Sequence, residues 1–210
     1  MEEHNFFIGT AAALAVLQPQ TVPALVAGAG AAAIGGLISD IDVGTSQAHR
    51  DADKITTATV AVAVLTILAE YKLNLGIYRR LTSDSSVLRL LAGTAAFLLI
   101  CAYGKQQPHR SFMHSFAALA LLTACVDIIY PDVSAYFAVG FLSHLVLDFF
   151  PTGNLEKLFW PWKKGFCLGF CSARGLVNRA LLGCGMVSLA VVLVLSAPAG
   201  RLMAKIMRAI

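Results

Sequence analysis

The sequence predicts an all-α fold, a polytopic transmembrane helical bundle of about six to seven membrane helices, and three observations predict it. Of the 210 residues, 58% are hydrophobic and only 13% charged, roughly half the charged fraction of a soluble domain. The mean hydropathy is +0.73. The apolar residues also gather into seven runs, at 6–18, 22–38, 55–70, 87–103, 112–130, 133–150 and 176–198. A helix that crosses a bilayer needs about 20 such residues, with roughly 17 the practical minimum. A chain of this length is expected to form one domain, spanning 1–210.

The first run is short and ends at Gln18-Pro19-Gln20, so it is expected to lie partly in the interface or against protein. Glu2 and Glu3 precede it, whereas a secretory signal would open on Lys or Arg, so this segment is expected to be retained. The second run carries Gly28, Ala32 and Gly36 at four-residue spacing, a row of small residues that lets helices approach closely. The remaining five runs reach or nearly reach spanning length. Between the last two, Pro151-Thr152-Gly153-Asn154 marks a turn. Phe159-Trp160-Pro161-Trp162-Lys163-Lys164 then mixes indole rings with ammonium groups, as membrane-interface anchors do. Residues 151–175 therefore read as an interfacial loop.

The net charge of +4 is modest and disperses over the loops, which suits anionic lipid and gives no concentrated basic face for a nucleic acid. Among the five cysteines, Cys101, Cys125 and Cys184 lie in apolar runs and read as small buried hydrophobes. Cys167 and Cys171 lack the second pair that a zinc site of the four-cysteine type requires.

Three polar islands interrupt the apolar chain: Ser39-Asp40-Ile41-Asp42, with His49 beyond it; His109-Arg110-Ser111-Phe112-Met113-His114; and Ser143-His144-Leu145-Val146-Leu147-Asp148. Ionisable groups at membrane depth are costly and mark function by default. Alternating the runs across the bilayer returns Asp40, Asp42, His109, His114 and Asp148 to the side on which His4 begins. The candidate ligands thus share one end of the bundle. Basic residues divide nine to seven between the two sides, so the positive-inside rule does not orient the chain.

His144 and Asp148 are four apart on one helix face and can hold one ion together, or the carboxylate can orient the imidazole. Asp40 and Asp42 are two apart, so they are expected in a turn at a helix end rather than on one face. Ser111 is a candidate N-cap for the run that follows, which would place His114 in its first turn. Arg110 would offer a planar fork to a phosphate. His4, near the terminus, and His49, in a polar loop, complete the set. Mixed His and Asp ligands suit zinc, with manganese the alternative if carboxylates dominate, and the candidates suffice for a second ion. No Gly-x-Ser-x-Gly elbow supports serine hydrolysis.

At these residues the chain resembles the YdjM-like family, described as LexA-regulated, membrane-bound metal-dependent hydrolases. The resemblance rests on His4, Ile38-Ser39-Asp40-Ile41-Asp42, His109-Arg110-Ser111-Phe112-Met113-His114-Ser115, Ser143-His144 followed by Asp148, Thr152-Gly153 and Trp160-Pro161. Ser39, Ser111 and Met113 stand where the family pattern has Pro, Gly and Thr. A more distant similarity links the His/Asp set to zinc-dependent phospholipase C and the P1-type nucleases. The resemblance implies a multi-pass inner-membrane hydrolase that uses a metal-activated water on a phosphoester of a lipid or membrane-delivered substrate. Asp40, Asp42, His109, His114, His144 and Asp148 would then be ligands or ligand-orienting groups. Asp40 and Asp42 are candidates for the base and Arg110 for the phosphate. A metal or proton transporter and a non-catalytic scaffold with a structural metal are the alternatives.

Overall fold

A computed structural model describes residues 2–42, 87–150, 157–162 and 176–201, with positions 68, 72, 76, 165 and 204 between and after them. All regular structure among these residues is helical. In chain order the helices are α1 (Glu2–Leu17), α2 (Val22–Ile38), a 3-10 turn (Ser39–Asp42), α3 (Val87–Lys105), α4 (Phe116–Ile129), α5 (Pro131–Phe149) and α6 (Leu176–Leu195). The apolar run at 55–70 lies largely outside the described residues, as do Cys167 and Cys171.

Local chemistry sets the helix boundaries. Thr21 caps α2 by accepting from the Ala24 N–H at 3.2 Å, and Pro23 follows inside the first turn, where a missing N–H costs nothing. Ser115 caps α4: its Oγ accepts from the Ala118 N–H at 3.2 Å and donates to the Phe112 carbonyl at 2.6 Å. The expected cap at Ser111 is thereby corrected, and the helix opens four residues after the start of its apolar run. Phe112 and Met113 are apolar because they are packed into the core from a loop, at 2% and 0% exposure, and not because they belong to a helix. Tyr130 alone separates α4 from α5, whose first residue is Pro131.

Two of the described helical stretches are long and apolar enough to cross a membrane: Val22–Ile41, with a mean hydropathy of 1.8, and Pro131–Phe149, with 1.2. Asn5–Leu17, Phe116–Ile129 and Arg179–Leu195 are shorter apolar helices. The 14 residues of α4 rise about 21 Å, less than the ~30 Å hydrocarbon core. The end of the loop that leads into α4 is packed inside the protein. Phe112, Met113, His114 and Ser115 in that loop are all buried.

The interior is organised around α2 and α5, with α1 lying against both and against α6, while α3 and α4 close the other flank. The α2–α5 contact is made by backbone. A Cβ on Gly140 would collide with the Ala32 carbonyl, and one on Gly35 with the Phe137 carbonyl. Large side chains fill the space beyond the glycines: Phe137, Phe141 and Leu145 from α5 meet Leu122 of α4, Ile38 of α2, Phe112 and Met113. This packing brings the end of α2, the start of α4 and the last turns of α5 together, the three places where the polar islands lie.

Candidate metal centre

Asp40 sits in the 3-10 turn that ends α2, where the backbone tightens after Ile38. His114 is held just before α4 by the Ser115 cap. His144 and Asp148 project from one face of α5, a turn apart. Both imidazoles are fully buried, and Asp40 and Asp148 are each 8% exposed. The ligating atoms of all four residues lie within 4.8 Å of one another.

The individual separations are narrower than that limit. His114 Nε2 and His144 Nε2 are 3.4 Å apart. Asp40 Oδ1 lies 3.3 Å from His114 Nε2 and 3.4 Å from His144 Nε2. Asp148 Oδ2 lies 3.5 and 3.6 Å from the same two atoms. Nitrogen and oxygen donors about 2.0–2.2 Å from a tetrahedral ion stand about 3.3–3.6 Å from each other. Five edges of the donor set therefore have the length that a single small ion requires.

Charge points the same way. Two carboxylates in an apolar interior need compensation. Protonating both imidazoles would aim two N–H groups at each other across 3.4 Å. A divalent cation would supply the charge at one point between all four donors. The residues fit zinc, whose preference is tetrahedral N and O ligation, and the donor types also admit manganese.

The remaining sequence candidates fall in different places. His109 is exposed on the loop before α4, its ring edge-on to that of His114 with centroids 5.2 Å apart, and it is not one of the four donors. Arg110, half-buried, takes a left-handed backbone conformation at φ 59°, and its carbonyl accepts from the Lys157 N–H at 3.4 Å. This bond, with that from the Phe116 N–H to the Leu158 carbonyl at 2.9 Å, ties the loop carrying His114 to residues 157–162. Trp160 seals the junction against Phe112 and Tyr103, at centroid distances of 5.2 and 6.4 Å. His4 belongs to α1 and Asp42 closes the 3-10 turn, but their side chains lie outside the described residues, as does the whole of His49.

One neighbour of the site was not singled out by the sequence reading. Asn5, 2% exposed on α1, places its carboxamide nitrogen 2.9 Å from His144 Nδ1. Its signal was visible: an amide standing at the head of an apolar run, next to His4.

Fold and site together define a helical membrane protein whose interior holds a two-histidine, two-aspartate centre able to take a metal ion. The model of the YdjM inner membrane protein family matches residues 2–207. The chain belongs to that family, and so to the proteins of the inner membrane. No curated protein and no solved structure matches it.

Proposed function

We propose that this chain is a membrane-bound metal-dependent hydrolase, a bundle of six to seven membrane helices cleaving a phosphoester of a lipid or membrane-delivered substrate. The observation that carries the reading is the donor set itself: four ligating atoms from three separate parts of the chain, in an apolar interior, with five of their separations at the length a tetrahedral ion requires. A zinc ion held there would acidify water and polarise a phosphoryl oxygen.

The chain's own residues divide the remaining work. Two histidines and one carboxylate suffice to hold an ion with a position to spare. The other carboxylate then stands within the same cluster as a proton acceptor. Asp40 and Asp148 suit this role, because their side chains keep 12% exposure while the imidazoles keep none. Arg110, four residues before His114, offers a guanidinium fork for phosphate. The exposed Phe159 and Trp162 support anchoring of the neighbouring loop in the headgroup layer. The likeness of the His/Asp set to zinc-dependent phospholipase C supports the substrate class by analogy only.

The count of four donors also favours a second reading, a structural ion with no open position. Metal analysis and a lipid-hydrolysis screen with zinc or manganese separate the two. The hydrolase reading expects about one ion per chain and phosphate-ester cleavage that chelation abolishes. Bound metal without any cleavage would leave the structural ion, and a wild-type protein without stoichiometric metal would sink both.

A further inference from the structure

The imidazole of His144 is held at both ends, and the end away from the metal centre poses a hydrogen-bonding conflict. Nδ1 lies 2.9 Å from the Gly36 carbonyl oxygen and 2.9 Å from the Asn5 carboxamide nitrogen. A carbonyl only accepts and an amide NH2 only donates, so one ring nitrogen cannot serve both. Gly36 supplies one of the last four carbonyls of α2, which have no intrahelical donor of their own. If Nδ1 accepted from Asn5, its lone pair would face that carbonyl at hydrogen-bond distance in an apolar interior.

Turning the Asn5 carboxamide by 180° about its last bond exchanges its nitrogen and oxygen and moves nothing else. Oδ1 is buried and has no hydrogen-bond partner among the described residues in the orientation at hand. Once turned, it accepts from Nδ1–H alongside the Gly36 carbonyl, and a single proton satisfies both acceptors. The geometry points to Asn5 as a positioning residue: its carboxamide oxygen and the Gly36 carbonyl together hold the proton of His144 on Nδ1, so that Nε2 faces Asp40, His114 and Asp148 as a lone pair.

A ligating histidine needs this arrangement, since the tautomer and ring orientation are set by the bond that the other nitrogen makes. Nothing in the sequence pattern of the islands assigns the task, because Asn5 lies 139 positions away on a helix that contributes no donor to the four-residue set. The inference rests on the metal-centre reading above, and its test distinguishes the two.

The test is zinc affinity of the full-length protein in detergent, measured by competition with a chelator, for wild type, Asn5→Leu and Asn5→Asp. The leucine has the same branched skeleton and accepts nothing, and the carboxylate accepts but cannot donate. Asn5→Leu is expected to weaken zinc by about 10–100-fold, the range for outer-shell partners of ligating histidines. Asn5→Asp is expected to bind as tightly as wild type or tighter. Equal affinity in Asn5→Leu overturns the inference. So does a loss in Asn5→Asp as large as that in Asn5→Leu, the result required if the amide donated to Nδ1. Should Asn5→Leu fail to fold, Asn5→Ala takes its place, because alanine offers Nδ1 no acceptor either and adds no bulk. Nitrogen-15 shifts of His144 in the metal-free protein give a second readout, with the Nδ1–H tautomer expected in wild type and Nε2–H overturning the inference. Wild type that binds no zinc removes the metal centre and this inference together, whereas zinc binding indifferent to both variants removes only the role of Asn5.

Discussion

The α2–α5 contact and the outer faces of α3 and α6 are built from similarly apolar sequence yet end in opposite environments. Along α2, Ala27, Gly28, Gly30, Ala32, Ala33, Gly35 and Gly36 are buried. Along α3, Leu91, Leu98 and Leu99 are 61–70% exposed, and on α6 Val187, Val194 and Leu195 are 64–78% exposed. Hydrophobicity would rank these the other way, since leucine gains more from leaving water than glycine or alanine does. In a bilayer that ranking loses its force, because lipid tails are as apolar as leucine and helices associate through close packing of small residues. Size decides where the backbones meet. His144 profits from this closeness directly, since its ring reaches the Gly36 carbonyl of α2 at 2.9 Å.

The largest effect is expected where the contact is closest. Gly140→Val would force apart the α2 and α5 backbones, at a cost of about 3 kcal/mol or more. Thermal unfolding in detergent should show this loss, and metal content should fall with it. A variant as stable as wild type would break the argument that backbone contact holds these helices.

A next step sharpens the division within the polar residues themselves. His114→Ala removes one of four donors and should lower zinc affinity by more than the ~100-fold ceiling for outer-shell partners. His109→Ala, five residues earlier on the exposed side of the loop, should leave zinc affinity nearly unchanged. Equal losses in a zinc competition assay would place His109 in the ligand set and erase the distinction between the two rings.

The smallest effect is expected on the outer faces. Leu99→Ala and Val187→Ala should each change stability by no more than about 0.5 kcal/mol, the usual range for surface positions. A shift in unfolding temperature comparable to that of Gly140→Val would mean that protein, and not lipid, covers that face.

The sequence by itself determined the helical class, most helix boundaries among the described residues and a wider pool of candidate ligands, of which four converge. Apolar runs record the solvent that a segment meets, and carboxylates or imidazoles inside such runs are costly enough to announce themselves. His144 and Asp148 could also be assigned to one face, because the helical period alone puts residues four apart side by side. Tertiary structure alone decided which candidates converge. It chose Asp40 and His114 and left His109 outside, because convergence depends on where the 3-10 turn after α2 and the loop before α4 aim their side chains. That loop misled the sequence reading for the same reason: Phe112 and Met113 are apolar through burial, and period and composition cannot tell a buried loop from the first turn of a helix. Asn5 was hidden more completely. Its contact with His144 joins residues 139 apart, and it exists only because α1 lies against α2 and α5 closely enough for an amide and an imidazole to meet.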